Sequence, residues 1–118
     1  MSVSTFSSEL ELALGPAPRC LVVDDEAQVR RAICRMVGRI GLQCTEADSG
    51  ATALAHLARE GEVPLVISDI DLPGMNGVEL LTELRRRLPD TAVIMVTGVA
   101  DVGTAVKCLQ LEIGRAHV

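Results

Sequence analysis

Short apolar runs alternate along this chain with longer stretches in which apolar residues recur every three or four positions. The runs begin near Cys20, Leu42, Leu65 and Ala92. The first is apolar throughout, which is typical of a strand buried on both faces. The stretches between the runs repeat with the period of an amphipathic helix. Because strands and helices alternate strictly, the pattern predicts an α/β fold, a doubly wound parallel sheet with helices on both faces and right-handed crossovers.

The predicted elements cover residues 20–111. The strands are 20–23, 42–47, 65–68 and 92–96, and the helices are 29–40, 49–60, 78–88 and 102–111. The first helix carries one apolar stripe from Val29 to Ile40. Gly41 follows it, where the end of a helix favours a residue that tolerates positive φ. On the second helix the residues expected to face inward are Leu54, Leu57 and Ala58. The apolar residues that mark the third helix are Val78, Leu81, Leu84 and Leu88, and Pro89 ends it.

The length and the N-terminal composition predict one domain with a lead-in segment. A chain of 118 residues suffices for one domain with one core. Residues 1–18 are Ser-rich and end in Gly-Pro-Ala-Pro, which indicates a linker. No apolar run approaches the roughly 20 residues that a membrane span needs, and acidic residues near the N-terminus argue against a signal peptide. We therefore expect a cytoplasmic domain without membrane contact that begins at Arg19.

Charge and cysteine spacing argue against two further classes of protein. With a net charge of −5, direct binding of nucleic acid by this domain is not expected, because a phosphate-binding face needs an excess of Lys and Arg. The basic run 85–87 follows Glu79 and Glu83 at helical spacing, which indicates a solvated helix face. The cysteines lack the spacing of a zinc site and are expected to be reduced and unpaired. They are Cys20, Cys34, Cys44 and Cys108.

Polar residues that could carry chemistry stand where the predicted strands end. Asp24 and Asp25 follow the first strand, Asp69 the third and Thr97 the fourth. In open parallel α/β sheets, ligands bind beyond these carboxyl ends. Each residue alone is also a common helix N-cap or loop residue. Three carboxylates gathered at one edge repel one another, however, and oxygen ligands at an exposed rim suit Mg²⁺, or Mn²⁺ in its place. The sequence therefore predicts a metal site.

Three segments carry a more specific signal. They are Val-Val-Asp-Asp-Glu at 22–26, Val-Ile-Ser-Asp at 66–69 followed by Leu-Pro-Gly-Met-Asn-Gly at 72–77, and Val-Ile-Met-Val-Thr-Gly at 93–98. In this order and spacing they resemble the receiver domains of bacterial two-component response regulators. The resemblance extends from about Arg19 to Leu111 and implies the flavodoxin-like receiver fold of five βα units.

The resemblance also implies a role for each site residue. Asp69 would be the phosphoacceptor, which takes a phosphoryl group from the phosphohistidine of a histidine kinase or phosphotransfer protein. Asp25 and Asp69 would bind Mg²⁺ directly and Asp24 mainly through water, and the backbone carbonyl group of Asp71 would complete the protein ligands. Thr97 would contact a phosphoryl oxygen and so switch an output. The resemblance thus implies a phosphoacceptor signalling domain and not an enzyme that acts on a separate substrate.

The sequence departs from the family pattern at Asp71 and at its C-terminal end. Asp71 is an acid where the family often has an apolar or amide side chain. A fifth strand that carries a Lys, an aromatic switch residue and a fifth helix are missing, and Lys107 falls in the fourth predicted helix. Residues 112–118 do not continue the family pattern and are interpreted as a non-native tail. The expected organisation is thus a lead-in at 1–18, a receiver domain that lacks its fifth unit at 19–111, and this tail.

Two other functions remain open from the sequence. The Asp69-x-Asp71 motif resembles the nucleophile motif of haloacid-dehalogenase-type phosphatases, which also form aspartyl phosphates, but Pro73 stands where those proteins usually have Thr or Val. The second alternative is a receiver-like docking module that is not phosphorylated. Without a fifth strand and helix one sheet edge would be uncovered, so low stability or a homodimer through that edge is expected.

Overall fold

A computed structural model describes residues 17–97 and Gly103. Its seven bounded elements alternate as predicted. The strands are β1 (Arg19–Val23), β2 (Gln43–Ala47), β3 (Leu65–Asp69) and β4 (Ala92–Val96), and the helices are α1 (Ala27–Gly38), α2 (Gly50–Glu60) and α3 (Gly77–Arg87). The lead-in up to residue 16, the bounds of the fourth predicted helix and the C-terminal tail lie outside the described residues.

The four strands form one parallel sheet in the order β2-β1-β3-β4. This order confirms the predicted α/β class and the flavodoxin-like arrangement. Since β1 and β3 are neighbours, the chain segments that leave their carboxyl ends emerge side by side. None of the described helices has the length and apolar character required to cross a membrane.

Strand β1 is buried on both faces because its side chains alternate between two core clusters. Leu21 and Val23 belong to the cluster under α2 and α3, whereas Cys20 and Val22 belong to the cluster under α1. All four residues have no exposed surface. A fully buried side chain of this size stabilises the fold by about 1.5–3 kcal/mol. The central strand, which carries the acidic pair at its end, is therefore held from both sides.

The helix ends follow local signals in the sequence. Ser49 caps α2, since its side chain accepts a hydrogen bond from the backbone N–H of Thr52, and the Thr52 hydroxyl group accepts one from the backbone N–H of Ser49. Asn76 caps α3 by accepting from the backbone N–H of Glu79. Gly41 has a φ of 91° in the turn after α1, as predicted. Ser49 and Asn76 therefore determine where α2 and α3 begin, and Gly41 allows the turn that follows α1.

The buried residues of α2 and α3 are only partly those that the sequence indicates. Ala53 and Leu57 are the buried pair on α2, and Leu80 and Leu84 are the buried pair on α3. Each pair has i, i+4 spacing, so it forms a single stripe. Ala58 is exposed, as is Val78 at 60%. The prediction that Ala58 faces inward is therefore wrong, because the stripe of α2 runs through Ala53 and Leu57 instead. On α3 the stripe runs through Leu80 and Leu84, and Val78 lies outside it.

The prediction that the cysteines are unpaired is wrong for two of them. Cys34 on α1 and Cys44 on β2 form a disulfide, with their Cα atoms 5.5 Å apart. Ten positions separate them along the chain, but the turn after α1 returns the chain alongside the helix. Cys20 is free and buried, and Cys108 lies outside the described residues.

Candidate functional site

Three carboxylates meet at the carboxyl edge of the sheet. The ladder between β1 and β3 pairs Val23 with Ser68, so the residues that follow each strand lie next to one another. Asp24, Asp25 and Asp69 each offer an oxygen atom, and these oxygens all lie within 4.8 Å of one another. A cluster with this donor set and spacing suits a hard cation with oxygen ligands. The prediction that the three acids lie close together is therefore confirmed.

Asp24 is the buried member of this cluster, with 3% of its surface exposed. Its Oδ1 accepts a hydrogen bond of 2.8 Å from the backbone N–H of Glu26, and its own N–H donates to the carbonyl group of Ala47 at 3.1 Å. Burial raises the pKa of the Asp24 carboxyl group, and the neighbouring carboxylates of Asp69 and Asp25 raise it further, while the hydrogen bond from Glu26 opposes the increase. The buried acid is therefore held in place but is costly to ionise without a cation.

Arg30 contacts the segment between β1 and α1 that carries Asp24 and Asp25, which is called the acidic turn below. From the second turn of α1 its Nη1 donates to the carbonyl oxygen of Asp24 at 2.9 Å, and its Nε donates to Oε1 of Glu46 on β2 at 3.0 Å. The Arg30 side chain is only 16% exposed. Its guanidinium group therefore fixes the backbone between β1 and α1 against the neighbouring strand. Arg30 was not identified from the sequence, although its position one helical turn after an acidic pair is a recognisable signal.

Asp69 lies at the last position of β3 and is half-buried. Its Oδ1 accepts a hydrogen bond of 3.0 Å from the backbone N–H of Asp71. The next residue, Ile70, donates its N–H to the carbonyl group of Val96 on β4 at 3.0 Å. The Asp69 side chain is thus oriented by the loop that follows it, while the other strand holds the start of that loop.

Gly77 allows the loop to close tightly on Asp69. Its N–H donates to the carbonyl group of Ile70 at 2.8 Å. A Cβ atom at this position would lie 2.5 Å from the carbonyl oxygen of Asp69 and 2.6 Å from the terminal methyl group of Met95. Since a backbone oxygen cannot move aside as a flexible side chain can, the close approach requires glycine. The requirement is one of space, because Gly77 does not have a positive φ.

Thr97 and Asp71 lie near the acidic cluster but are not members of it. Thr97 is exposed and follows Val96, which the ladder pairs with Asp69. Thr97 therefore lies at the carboxyl edge of the sheet, next to the strand that ends in Asp69, as the sequence predicts. Asp71 is exposed, in the loop after β3. Lys107, which falls in the fourth predicted helix, lies outside the described residues.

The comparisons with known proteins agree with this geometry. A family model described as the response regulator receiver domain matches residues 20–116. This chain belongs to that family. The receiver domain is a signalling domain of response regulators, and the match covers every described strand and helix except the first residue of β1, Arg19.

The receiver domain has relatives among curated bacterial regulators and solved structures. It is 37% identical over 89 residues to the DNA-binding transcriptional regulator NtrC of Escherichia coli strain K12, covering 75% of this chain and 19% of that protein. It is 39% identical over 92 residues to the regulatory protein AtoC of the same strain, covering 78% of this chain and 20% of that protein. The chain thus spans about a fifth of the length of these relatives.

A solved structure resembles the receiver domain in fold and in sequence. It is the response regulator protein TrrA from Thermotoga maritima, determined in complex with Mg(2+)-BeF. The two share 35% identity and superpose with a TM-score of 0.62, over 66% of this chain and 67% of that one.

Proposed function

We propose that this chain is the phosphoacceptor of a bacterial two-component system and that Asp69 carries the phosphoryl group. The observation that supports this best is the convergence of the Asp24, Asp25 and Asp69 carboxylates within 4.8 Å at the ends of β1 and β3. The donor is the phosphohistidine of a histidine kinase or phosphotransfer protein. This role fits a member of the receiver family, and the cytoplasm is where such a transfer would take place.

The residues present fit a bound Mg²⁺ or Mn²⁺. The three acidic residues form a cluster of hard oxygen donors. In the proposed arrangement Asp25 and Asp69 would ligate the ion directly, Asp24 would act mainly through water, and the backbone carbonyl group of Asp71 would complete the protein ligands. The ion supplies neutralisation of the negative charge on the transferring phosphoryl group. In support, the relative TrrA was determined in complex with Mg(2+)-BeF.

The transfer itself requires little movement from the protein. A carboxylate oxygen of Asp69 forms the new bond to phosphorus, and the P–N bond to the donor imidazole breaks with its electron pair returning to nitrogen. The N–H of Asp71 already donates to Oδ1 of Asp69 at 3.0 Å, which orients the carboxylate so that its other oxygen is available to attack. Thr97, which leaves the adjacent strand, contacts a phosphoryl oxygen and transmits the change to an output. Positioning accounts for most of the catalytic effect in such transfers.

Binding of beryllium fluoride tests this proposal because that anion mimics a phosphoryl group on a carboxylate. With Mg²⁺ present, ¹⁹F NMR of the full chain should show a bound resonance, and the resonance should disappear on addition of a chelator. Asp69→Asn should abolish it. Asp71→Asn is the matched control, since it retains the backbone carbonyl and N–H groups and should keep the bound resonance. A bound resonance that persists in Asp69→Asn would contradict the proposal.

A further inference from the structure

Cys34 and Cys44 link two elements that other contacts already hold together. Cys34 lies on α1, which packs on the sheet through the buried Ile33 and Val37. Cys44 lies on β2, where the ladder pairs it with Cys20 of β1. Their Cα atoms are 5.5 Å apart, at the most common separation for a disulfide. The pair is therefore positioned by the fold.

The two linked cysteines differ from Cys20 in their access to solvent. Cys34 and Cys44 are half-buried, whereas Cys20 has no exposed surface. Burial also raises the pKa of the Cys20 thiol to about 12. Since the thiolate is the reactive form of cysteine, Cys20 is inert at neutral pH. Among the described cysteines, a reagent in solution can therefore reach and oxidise only the pair.

We propose that Cys34 and Cys44 form a reversible dithiol–disulfide site that crosslinks α1 to β2 in response to low-molecular-weight disulfides. The thiolate of one cysteine attacks a sulfur atom of the reagent, which forms a mixed disulfide and releases one reagent thiol. The second cysteine then attacks the protein sulfur of the mixed disulfide, forms the Cys34–Cys44 bond and releases the second reagent thiol. In total the two cysteines lose two electrons and two protons, and both pass to the reagent.

The crosslink lies beside the contact that supports the acidic turn. Arg30 precedes Cys34 by one turn of α1, and Glu46 follows Cys44 by two residues on β2, so each pair shares a face of its element. The Arg30–Glu46 ion pair and the disulfide therefore join the same helix to the same strand. Oxidation therefore restrains the contact between α1 and β2 whether or not the chain is phosphorylated.

Tryptic mapping of the full chain after equilibration with glutathione buffers tests the site. Cleavage after Arg and Lys places each of the four cysteines in a different peptide. As the ratio of oxidised to reduced glutathione rises, peptide 32–35 should become joined to peptide 40–59, two hydrogens lighter than the sum of the two. The joined species should revert on addition of a reductant. The peptide that contains Cys20 should stay in the thiol form, and the peptide that contains Cys108 should be found as the thiol or as a single mixed disulfide.

Two variants and a stability measurement separate this site from nonspecific oxidation. Oxidation of the full chain should raise its Tm on the order of 10 °C, because the crosslink lowers the conformational entropy of the unfolded chain, and Cys34→Ser should abolish the increase. Cys108→Ser should leave both the increase and the joined peptide unchanged. The proposal is overturned if the joined peptide is absent at every glutathione ratio, or if disulfides that involve Cys20 or Cys108 form in equal amounts.

Discussion

Replacement of Asp24 by Asn should stabilise the metal-free domain while it weakens binding of Mg²⁺. Oxygens of Asp24, Asp25 and Asp69 lie within 4.8 Å of one another. At that distance two carboxylates repel by about 3.5 kcal/mol at an effective dielectric of 20, and by about 1 kcal/mol in bulk water. Asp24 is 3% exposed, but Asp25 is exposed and Asp69 is half-buried, so solvent screens both repulsive pairs to about 1.5 kcal/mol each. Asn retains an oxygen that can accept the hydrogen bond from Glu26.

The expected gain for the metal-free Asp24→Asn variant is about 2 kcal/mol in the free energy of unfolding at neutral pH, after allowance for a weaker hydrogen bond to the uncharged side chain. Urea unfolding in the presence of a chelator measures it. Asp90→Asn is the control, because Asp90 is exposed in the turn between α3 and β4, at the opposite end of the sheet. That variant should change the free energy of unfolding by less than about 0.5 kcal/mol.

The same replacement should change how stability depends on pH. The folded-state pKa of Asp24 is raised above its ordinary value of 3.8, so the folded domain binds this proton more tightly than the unfolded chain does. The stability that Asp24 contributes is therefore complete below pH 3.8 and is lost as pH rises through the raised pKa. In metal-free buffer Asp24→Asn should remove this loss, so the gain in stability should be larger at pH 7 than at pH 4.

Binding of Mg²⁺ completes the test of the charge cluster. A ligand that binds only the folded state stabilises it by about 2.7 kcal/mol at a concentration 100 times its Kd. The Asp24→Asn variant should show a smaller increase than the unaltered chain at each Mg²⁺ concentration. A variant that is less stable than the unaltered chain without metal, or that responds equally to Mg²⁺, would refute the reasoning from repulsion.

Three further replacements follow from the fold, each measured by chemical denaturation. Gly77→Ala should destabilise the domain by about 3 kcal/mol because the added methyl group overlaps backbone, whereas Gly38→Ala, with no atom within 4 Å, should be neutral or slightly stabilising. Leu80→Ala should cost about 2–5 kcal/mol, and Val78→Ala, at an exposed site, less than about 0.5 kcal/mol; equal effects would contradict the assigned inner face of α3. Arg30→Ala should cost about 1–3 kcal/mol, since it leaves a carbonyl group of the acidic turn without its charged donor.

The alternation of strands and helices and the acidic edge of the sheet were predictable from the sequence, because each depends on local signals. Apolar runs between turn residues locate the strands, and a carboxylate at the end of β1 or β3 necessarily lies at the carboxyl edge of a parallel sheet. The order β2-β1-β3-β4 then makes Asp24 and Asp69 neighbours.

Features that depend on distances between separate elements were not predictable in the same way. Several registers of an amphipathic helix fit one sequence, so Ala58 was expected to face inward on α2, where Ala53 is the buried residue. The Cys34–Cys44 pair depends on how the turn after α1 brings the strand back to the helix. The need for glycine at position 77 depends on how closely the loop approaches the end of β3. The spacing of residues along the chain does not directly reveal such close contacts between separate elements.

The mass of the intact chain after incubation with a small phosphodonor such as acetyl phosphate tests the central claim most directly. The account predicts an increase of about 80 Da that requires Mg²⁺, and borohydride reduction of the acyl phosphate should place the modification at Asp69. Asp69→Asn should show no increase, whereas Asp71→Asn should keep it. A phosphoryl group found at another residue, or labelling that proceeds equally in Asp69→Asn or without a divalent cation, would contradict the account.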